Sequence, residues 1–127
     1  NRFDVSQEVF YADFNWDNIL KLVSTKAVQY SPISKFPTVR RDLALLINDS
    51  ITFEQIEQLA QKQERKLLKE VNLFDVYQGK NLAEGKKSYG VSFTFGDDDK
   101  TLTDDQIEKV MDKLIKTYQK ELGAELR

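Results

Sequence analysis

Residues 86–95 read Lys-Lys-Ser-Tyr-Gly-Val-Ser-Phe-Thr-Phe, and this stretch alternates strictly between two sets of side chains. One set is mostly large and apolar: Lys87, Tyr89, Val91, Phe93 and Phe95. The other set is mostly small and hydroxylated: Lys86, Ser88, Gly90, Ser92 and Thr94. A period of two predicts a β-strand with one buried face and one solvated face. A solvated face of small residues can accept a ligand that lies flat on a sheet.

Two helices with matching starts flank this strand in the sequence. Thr52 is followed three residues later by Gln55, and Thr103 by Gln106, which is the capping-box pattern of a helix N-terminus. Gly123 is a natural C-cap for the second helix. The predicted elements are strands over residues 39–47, 68–78, 86–95 and 124–127, and helices over residues 52–64 and 103–122.

The order of these elements, β-α-β-β-α-β, predicts an α+β domain with the ferredoxin-like split βαβ fold. In that fold two helices cover one face of a four-stranded antiparallel sheet, and the other face is open. The third strand is expected between the first and the second. Pro32 and Pro37 favour an extended linker over residues 30–37. We therefore expect the main domain to start after Pro37.

Residues 1–33 are predicted to be a remnant of a preceding domain and its linker. Glu8–Phe14 has the composition of a strand, and Asn15 is placed to cap a short helix over Trp16–Val23. This strand-helix extension is too small to have a core of its own. The chain also begins without Met, which favours a fragment of a longer protein.

The chain contains no cysteine and no histidine, and its net charge is −2. Disulfides, thiolate metal sites and Ser-His-Asp or Cys-His catalysis are therefore excluded. No apolar run is long enough to span a membrane and no signal-peptide pattern is present, so we expect a cytoplasmic protein without a membrane partner. We expect no DNA partner. Any nucleic-acid role requires basic residues gathered on one face.

Strand parity predicts which side chains lie on the open face. Asp75 and Tyr77 are predicted to point there, whereas Phe74 and Val76 are predicted to point the other way. Unpaired RNA bases bind by stacking on rings and by hydrogen bonds to their edges, with cations on the phosphates. Taken singly, Tyr77 also fits an ordinary half-exposed tyrosine, and the basic residues fit solvated rim charge. The predicted open face comprises Arg40, Asp42, Ala44, Asp75, Tyr77, Lys86, Ser88, Gly90, Ser92 and Arg127.

Two groups of acidic residues have alternative interpretations. Residues 97–99 are three aspartates and suggest a calcium loop, but Leu102 stands where that loop needs glycine. A charged turn before a helix N-terminus explains them instead. Asp42 and Asp75 have the chemistry of an acid–base pair, but the sequence predicts no apolar pocket around them. We therefore predict neither a metal site nor a catalytic site in this chain.

Several short motifs follow one another along the main domain: Phe36-Pro37-x-x-Arg40-Arg41-Asp42-Leu43-Ala44, Phe74-Asp75-Val76-Tyr77-Gln78-Gly79, Lys86-Lys87-Ser88-Tyr89-x-x-Ser92-Phe93, Lys100-Thr101-Leu102-Thr103-Asp104 and Leu126-Arg127. With this order and spacing, residues 34–127 closely resemble the C-terminal ferredoxin-fold anticodon-binding domain of bacterial phenylalanyl-tRNA synthetase beta subunits. Residues 1–33 are similar to the end of the catalytic-like domain that precedes it. At Phe95-Gly96-Asp97 the sequence departs from the family, whose members usually carry a longer side chain followed by Gln-Asp.

The resemblance implies a tRNA-binding module without its own catalytic site. Such a domain binds the anticodon stem-loop of phenylalanine tRNA and helps to recognise its GAA anticodon. In that family the aminoacylation site, with ATP and magnesium, belongs to the alpha subunit of a heterotetramer of two alpha and two beta chains. The resemblance therefore implies phenylalanine tRNA and the alpha subunit as partners, and no cofactor within this chain.

The resemblance implies five base-contacting positions on the predicted open face: Ala44, Asp75, Tyr77, Ser88 and Arg127. We assign base stacking to Tyr77, and hydrogen bonds to base edges to Asp75 and Ser88. Ala44 is expected to leave room for a stacked base. Phosphates or a base edge are expected to meet Arg127, Arg40 and Lys86.

Two other functions are compatible with a ferredoxin-like fold. A small-molecule regulatory module predicts a dimer with ligands at its interface and no affinity for RNA. A protein-docking module predicts an apolar open face, whereas the face predicted here is polar.

Overall fold

A four-stranded antiparallel sheet forms the framework of the main domain, as the computed structural model shows. Residues 8–23, 29–30 and 33–127 are described, and the chain divides into two compact units, Asn1–Ile33 and Ser34–Arg127. Helix α1 covers Trp16–Val23. The second unit contains β1 (Val39–Asn48), α2 (Phe53–Gln63), β2 (Leu68–Tyr77), β3 (Lys86–Phe95), α3 (Asp104–Leu122) and β4 (Glu125–Leu126).

The spatial order of the strands is β2-β3-β1-β4, which confirms the predicted fold and the place of β3 between β1 and β2. β1 and β3 pair along their whole length, from Val39 opposite Phe95 to Asn48 opposite Lys86. β3 is therefore a central strand that pairs with a neighbouring strand along each of its two edges.

Both long helices begin where the capping boxes predict. The Thr52 backbone N–H donates to Gln55 Oε1 at 2.9 Å, and the Gln55 N–H donates to Thr52 Oγ1 at 3.4 Å. The same reciprocal pair joins Thr103 and Gln106 at the start of α3. Gly123 ends α3 with φ 60°, a left-handed conformation that glycine adopts without steric penalty.

The core lies between the apolar side of β3 and the two helices. Val91 and Phe93 are fully buried, and the Phe93 ring centroid lies 6.2 Å from that of Tyr118 on α3. The Tyr118 hydroxyl donates to the Ile56 carbonyl of α2 at 3.2 Å, and burial raises the pKa of this phenol. Each large side chain buried here stabilises the fold by roughly 1.5–3 kcal/mol.

A β-bulge in β2 breaks the predicted alternation. The register shifts between Leu73 and Asp75, and Asp75 lies opposite Gly90. Phe74 is the additional residue, and both Phe74 and Asp75 lie close to the place where Gly90 lacks a side chain. The prediction that Phe74 shares a face with Val76 is therefore wrong. A bulge re-aims a side chain because two residues of one strand oppose a single residue of its partner.

Three strands also differ from their predicted bounds. β1 ends at Asn48 rather than Ile47, β2 ends at Tyr77 rather than Gln78, and β4 contains only two residues. Leu126 lies opposite the core residue Leu45. It is nevertheless 48 % exposed, because β4 is a short strand at the edge of the sheet.

The described part of the first unit contains the predicted short helix but not the predicted strand. The Asn18 N–H donates to Asn15 Oδ1 at 3.0 Å, which confirms Asn15 as the cap of α1. Residues 8–14 form no strand, because no strand within the described residues pairs with them. Ser31 and Pro32 of the predicted linker lie outside the described residues. No helix among those described has the length and apolar character needed to cross a membrane.

Candidate nucleic-acid interface

Strand pairing arranges the side chains of the open face in rows. One row runs across the whole sheet: Asp75 lies opposite Gly90, Gly90 lies opposite Ala44, and the Arg127 N–H donates to the Ala44 carbonyl at 3.1 Å. The neighbouring row has the order Tyr77, Ser88, Leu46 and Glu125. The sheet thus brings together the predicted residues Ala44, Asp75, Tyr77, Ser88 and Arg127.

Tyr77 and Arg127 meet above the middle of the sheet. Tyr77 ends β2 and Arg127 directly follows β4, at opposite edges of the sheet, yet the Arg127 guanidinium carbon lies 5.5 Å from the centroid of the Tyr77 ring. At this distance the cation is attracted by the electron-rich face of the ring. The two outermost predicted residues therefore form a cation–π pair, which strand parity alone did not indicate.

Gly79 provides the space for the Tyr77 ring. A Cβ atom at Gly79 would lie 2.6 Å from the Tyr77 hydroxyl oxygen and 2.8 Å from the ring carbon that carries it. The backbone of Gly79 is not left-handed. Close approach of the ring, rather than backbone strain, is therefore what requires glycine at this position.

Ser88 is nearly buried on the open face, but its hydroxyl is available to a ligand. The residue is only 7 % exposed. Its hydroxyl makes no hydrogen bond within the described part of the chain. Every fully buried side-chain oxygen in that part has a hydrogen-bond partner, so the Ser88 oxygen is not one of the fully buried ones. The oxygen therefore still reaches solvent and can donate to or accept from a ligand.

Asp75 is an exposed carboxylate in the row next to Ser88. It has no ion-pair partner among the described residues. A carboxylate that is free of cations retains its full capacity to accept hydrogen bonds.

Arg40 is already engaged on the open face. Its Nε donates to Asp42 Oδ1 at 2.8 Å and its Nη2 to Asp42 Oδ2 at 3.4 Å. Its guanidinium carbon also lies 5.4 Å from the centroid of the Phe74 ring. The structure therefore brings Phe74, which the sequence analysis placed on the other face, into the candidate site. Glycine inside a strand often marks a bulge or a close approach, so Gly90 is the signal that could have located this ring.

Only one lysine of the pair at the start of β3 faces the open side. Lys86 Nζ lies 3.4 Å from Glu125 Oε1, at the end of the row that contains Ser88. Lys87 is 8 % exposed, donates to the Asp49 carbonyl at 2.8 Å and lies over the Tyr89 ring at 4.7 Å. Lys87 therefore stabilises the turn after β1 and is not available to a ligand on the open face.

The three aspartates after β3 form a turn. Asp97 accepts a hydrogen bond from the Asp99 N–H at 3.0 Å, and Asp98 pairs with Lys69 at 2.9 Å. Within the residues that the structure describes, no group of three or more acidic side chains is arranged to hold a metal ion.

Comparison with known proteins identifies the family. The model of the ferredoxin-fold anticodon binding domain matches residues 34–127. The chain is 54 % identical over 125 residues to the phenylalanine–tRNA ligase beta subunit of Bacteroides fragilis. The aligned residues cover 98 % of this chain and 15 % of that protein. It is 47 % identical over 126 residues to the same subunit of Porphyromonas gingivalis, covering 99 % of this chain and 15 % of that one.

The similarity extends to more distant bacteria. Identity to the beta subunit of Clostridium acetobutylicum is 41 % over 125 residues, which is 98 % of this chain and 16 % of that protein. This chain spans about 15 % of the length of the curated relatives it matches. The resemblance seen in the sequence motifs is confirmed, and the chain belongs to the ferredoxin-fold anticodon-binding domain family.

Proposed function

We propose that this chain binds the anticodon stem-loop of phenylalanine tRNA on the open face of its sheet and contributes to recognition of the GAA anticodon. The observation that supports the proposal most is the arrangement around Tyr77. An aromatic ring, a cation, a free hydroxyl and a free carboxylate lie in two adjacent rows of one face. These are the groups that bind unpaired RNA bases.

Tyr77 provides the stacking surface in this proposal. Its ring lies against Gly79, and the guanidinium carbon of Arg127 is 5.5 Å from the ring centroid. A base that stacks on the side of the ring facing Arg127 displaces the guanidinium, whose N–H groups then donate to a phosphate or a base edge. Ala44, opposite Gly90 in the adjacent row, has a side chain small enough for a base to lie above it.

Asp75 and Ser88 distinguish the base edges in this proposal. An ionised carboxylate only accepts hydrogen bonds, so Asp75 favours an edge that presents donors. Unpaired guanine presents two adjacent donors, N1–H and the N2 amino group, whereas the N6 amino donor of adenine lies beside the acceptor N1. Ser88 both donates and accepts, which makes it the less selective contact. Asp75 is therefore the residue that favours guanine in GAA.

The longer protein is part of the proposal. The relatives named above are beta subunits of phenylalanine–tRNA ligases, and we infer that this chain is a module of such a subunit. Aminoacylation with ATP and magnesium would then take place in the alpha subunit of the cytoplasmic α2β2 enzyme. Residues 1–33 would belong to the preceding domain. In support, Phe10, Tyr11 and Trp16 are 90 %, 86 % and 66 % exposed, as is typical of a surface that another part of a protein covers.

An NMR titration of the 127-residue chain tests the function. The probes are an RNA hairpin with the GAA anticodon loop and a hairpin of the same stem with a scrambled loop, both at low salt because phosphate contacts weaken as salt rises. We expect amide shifts around Ala44, Tyr77, Ser88 and Arg127 that are larger with GAA. Equal shifts with both hairpins would contradict anticodon recognition, and an absence of shifts would contradict RNA binding on this face.

A further inference from the structure

The open face carries a second exposed aromatic ring, that of Phe74. The residue is 52 % exposed although its side chain is purely apolar. The bulge before Asp75 directs it to the open face, and its ring lies over Gly90, where a Cβ atom would meet Phe74 ring carbons at 2.9 and 3.0 Å. Gly90 therefore leaves the space in which the ring rests on the central strand.

Phe74 has the same kind of surroundings as Tyr77. Each ring lies against a glycine, Gly90 for Phe74 and Gly79 for Tyr77. Each ring also has a guanidinium 5.4–5.5 Å from its centroid, from Arg40 and Arg127 respectively. Phe74 and Tyr77 are three positions apart along β2, a Cα spacing of about 10 Å at the rise of a strand, and the two rings lie against different glycines.

The cation beside Phe74 is only partly used by its own ion pair. A guanidinium has five N–H donors, and Asp42 accepts from two of those of Arg40. The remaining donors are available to a phosphate, and the Arg40 side chain is 57 % exposed. Asp42 meanwhile holds the guanidinium in place beside the ring.

We propose that Phe74 is a second base-stacking ring, so that the open face binds two unpaired bases of one RNA loop, the first on Tyr77 and the second on Phe74. Arg40 meets the phosphate next to the second base. This inference rests on the proposed function, because it requires that the open face binds single-stranded RNA. It adds a stacking position that the sequence motifs and strand parity did not assign.

A thermodynamic cycle with modified RNA tests the inference in the 127-residue chain. The variants are Phe74→Leu, which keeps an apolar side chain over Gly90, and Phe74→Tyr, which keeps a ring. Tyr77→Ala serves as the reference, and Val76→Ala removes an equally exposed apolar side chain, 54 % against 52 %, from the other face of β2. Affinity is measured for the GAA hairpin and for three hairpins that each lack one anticodon base.

We expect Phe74→Leu to weaken binding of the intact hairpin by about fivefold to 150-fold, the size of one lost base stack. Phe74→Tyr keeps a ring on which a base can stack, and Val76→Ala changes only the other face of β2. Both variants should therefore bind the intact hairpin within about twofold of the wild-type affinity. The Phe74→Leu effect should vanish with the hairpin that lacks the base stacked on Phe74, since a contact that is already absent cannot be lost again. That base should differ from the one whose removal cancels the Tyr77→Ala effect.

The outcomes separate the two proposals. An unchanged affinity in Phe74→Leu, or an equal loss with every hairpin, overturns the second stacking position while leaving the Tyr77 site intact. Cancellation of both effects by the same missing base also overturns it. Failure of Tyr77→Ala to weaken binding overturns the proposed function itself, as does equal affinity of the wild-type chain for GAA and scrambled loops. Amide spectra of each variant establish that it is folded.

Discussion

The two sides of β3 are both buried, but for different reasons. On the helix side, Phe93 and Phe95 are 0 % and 1 % exposed because α2 and α3 pack on them. On the open side, Ser88 and Ser92 are 7 % and 4 % exposed, and each lies between larger side chains on the paired strands β2 and β1. The large side chains on the helix side stabilise the fold because they fill the core. The small side chains on the open side leave space above the sheet for rings and guanidinium groups.

The largest expected effect is on the helix side. Phe93→Ala should lower the free energy of unfolding by about 3–5 kcal/mol, because it leaves a cavity against Tyr118 in a fully buried site. Chemical denaturation measures this change. The neighbouring Ser92→Ala is the matched control on the open side, where only a hydrogen bond to the Asn72 carbonyl at 3.4 Å is lost, about 0.5–1.5 kcal/mol. Equal losses in the two variants would contradict the distinction between the sides.

The second effect is on RNA affinity rather than stability. Tyr77→Ala should weaken binding of the GAA hairpin by about 1–3 kcal/mol, which is the size of a lost base stack. Stability should change far less than in Phe93→Ala, since Tyr77 is only partly buried. Titration calorimetry and denaturation measure the two quantities. Tyr77→Phe retains the ring and should retain the affinity; unchanged affinity in Tyr77→Ala would remove this residue from the site.

A smaller effect is expected at Gly79. Gly79→Ala places a methyl group where the Tyr77 ring lies and forces the ring out of its position, at a cost of order 0.5–1.5 kcal/mol in RNA affinity. The same substitution in a Tyr77→Ala background should have no further effect, because no ring remains to be displaced. Fluorescence titration with labelled hairpin measures both. A full additional loss in the double variant would show that Gly79 acts independently of the ring.

The smallest effect is on the salt dependence of binding. Lys86→Gln should reduce the slope of log affinity against log salt by about 0.7, the value for one phosphate contact of a single strand. Lys109→Gln makes the same charge change on α3, away from the open face, and should leave the slope unchanged. Affinity measured over a series of salt concentrations gives both slopes. A similar change in the two variants would indicate a general charge effect instead of a contact by Lys86.

Local patterns explain why much of the fold and site was predictable. The alternation in β3 and the two capping boxes each involve residues within a few positions of one another, and each appears in the structure where it was predicted. Once the strand order followed from the element order, parity alone placed Tyr77, Ser88 and Ala44 on one face, and the strand register of the structure puts them in adjacent rows. These predictions required no knowledge of how distant segments pack.

The errors fall where a distant segment decides the conformation. Phe74 turns to the open face because β2 carries one more residue than β3 at that point. Residues 8–14 have the composition of a strand, but no partner strand exists for them among the described residues. In both cases the side chains favour an extended backbone, and only the pairing decides what that backbone becomes.

The sequence by itself determined the elements, their order and therefore the open sheet face, because periodicity and helix caps are properties of neighbouring residues. It also determined the chemistry available on that face, apart from the Phe74 ring that the bulge in β2 adds. Only the tertiary structure decided which side chains meet there. Arg127 reaches Tyr77 from the opposite edge of the sheet, Arg40 lies beside a ring that a bulge has turned over, and Lys86 is held by Glu125. Such contacts join residues far apart in the chain, and their geometry exists only after the strands have paired.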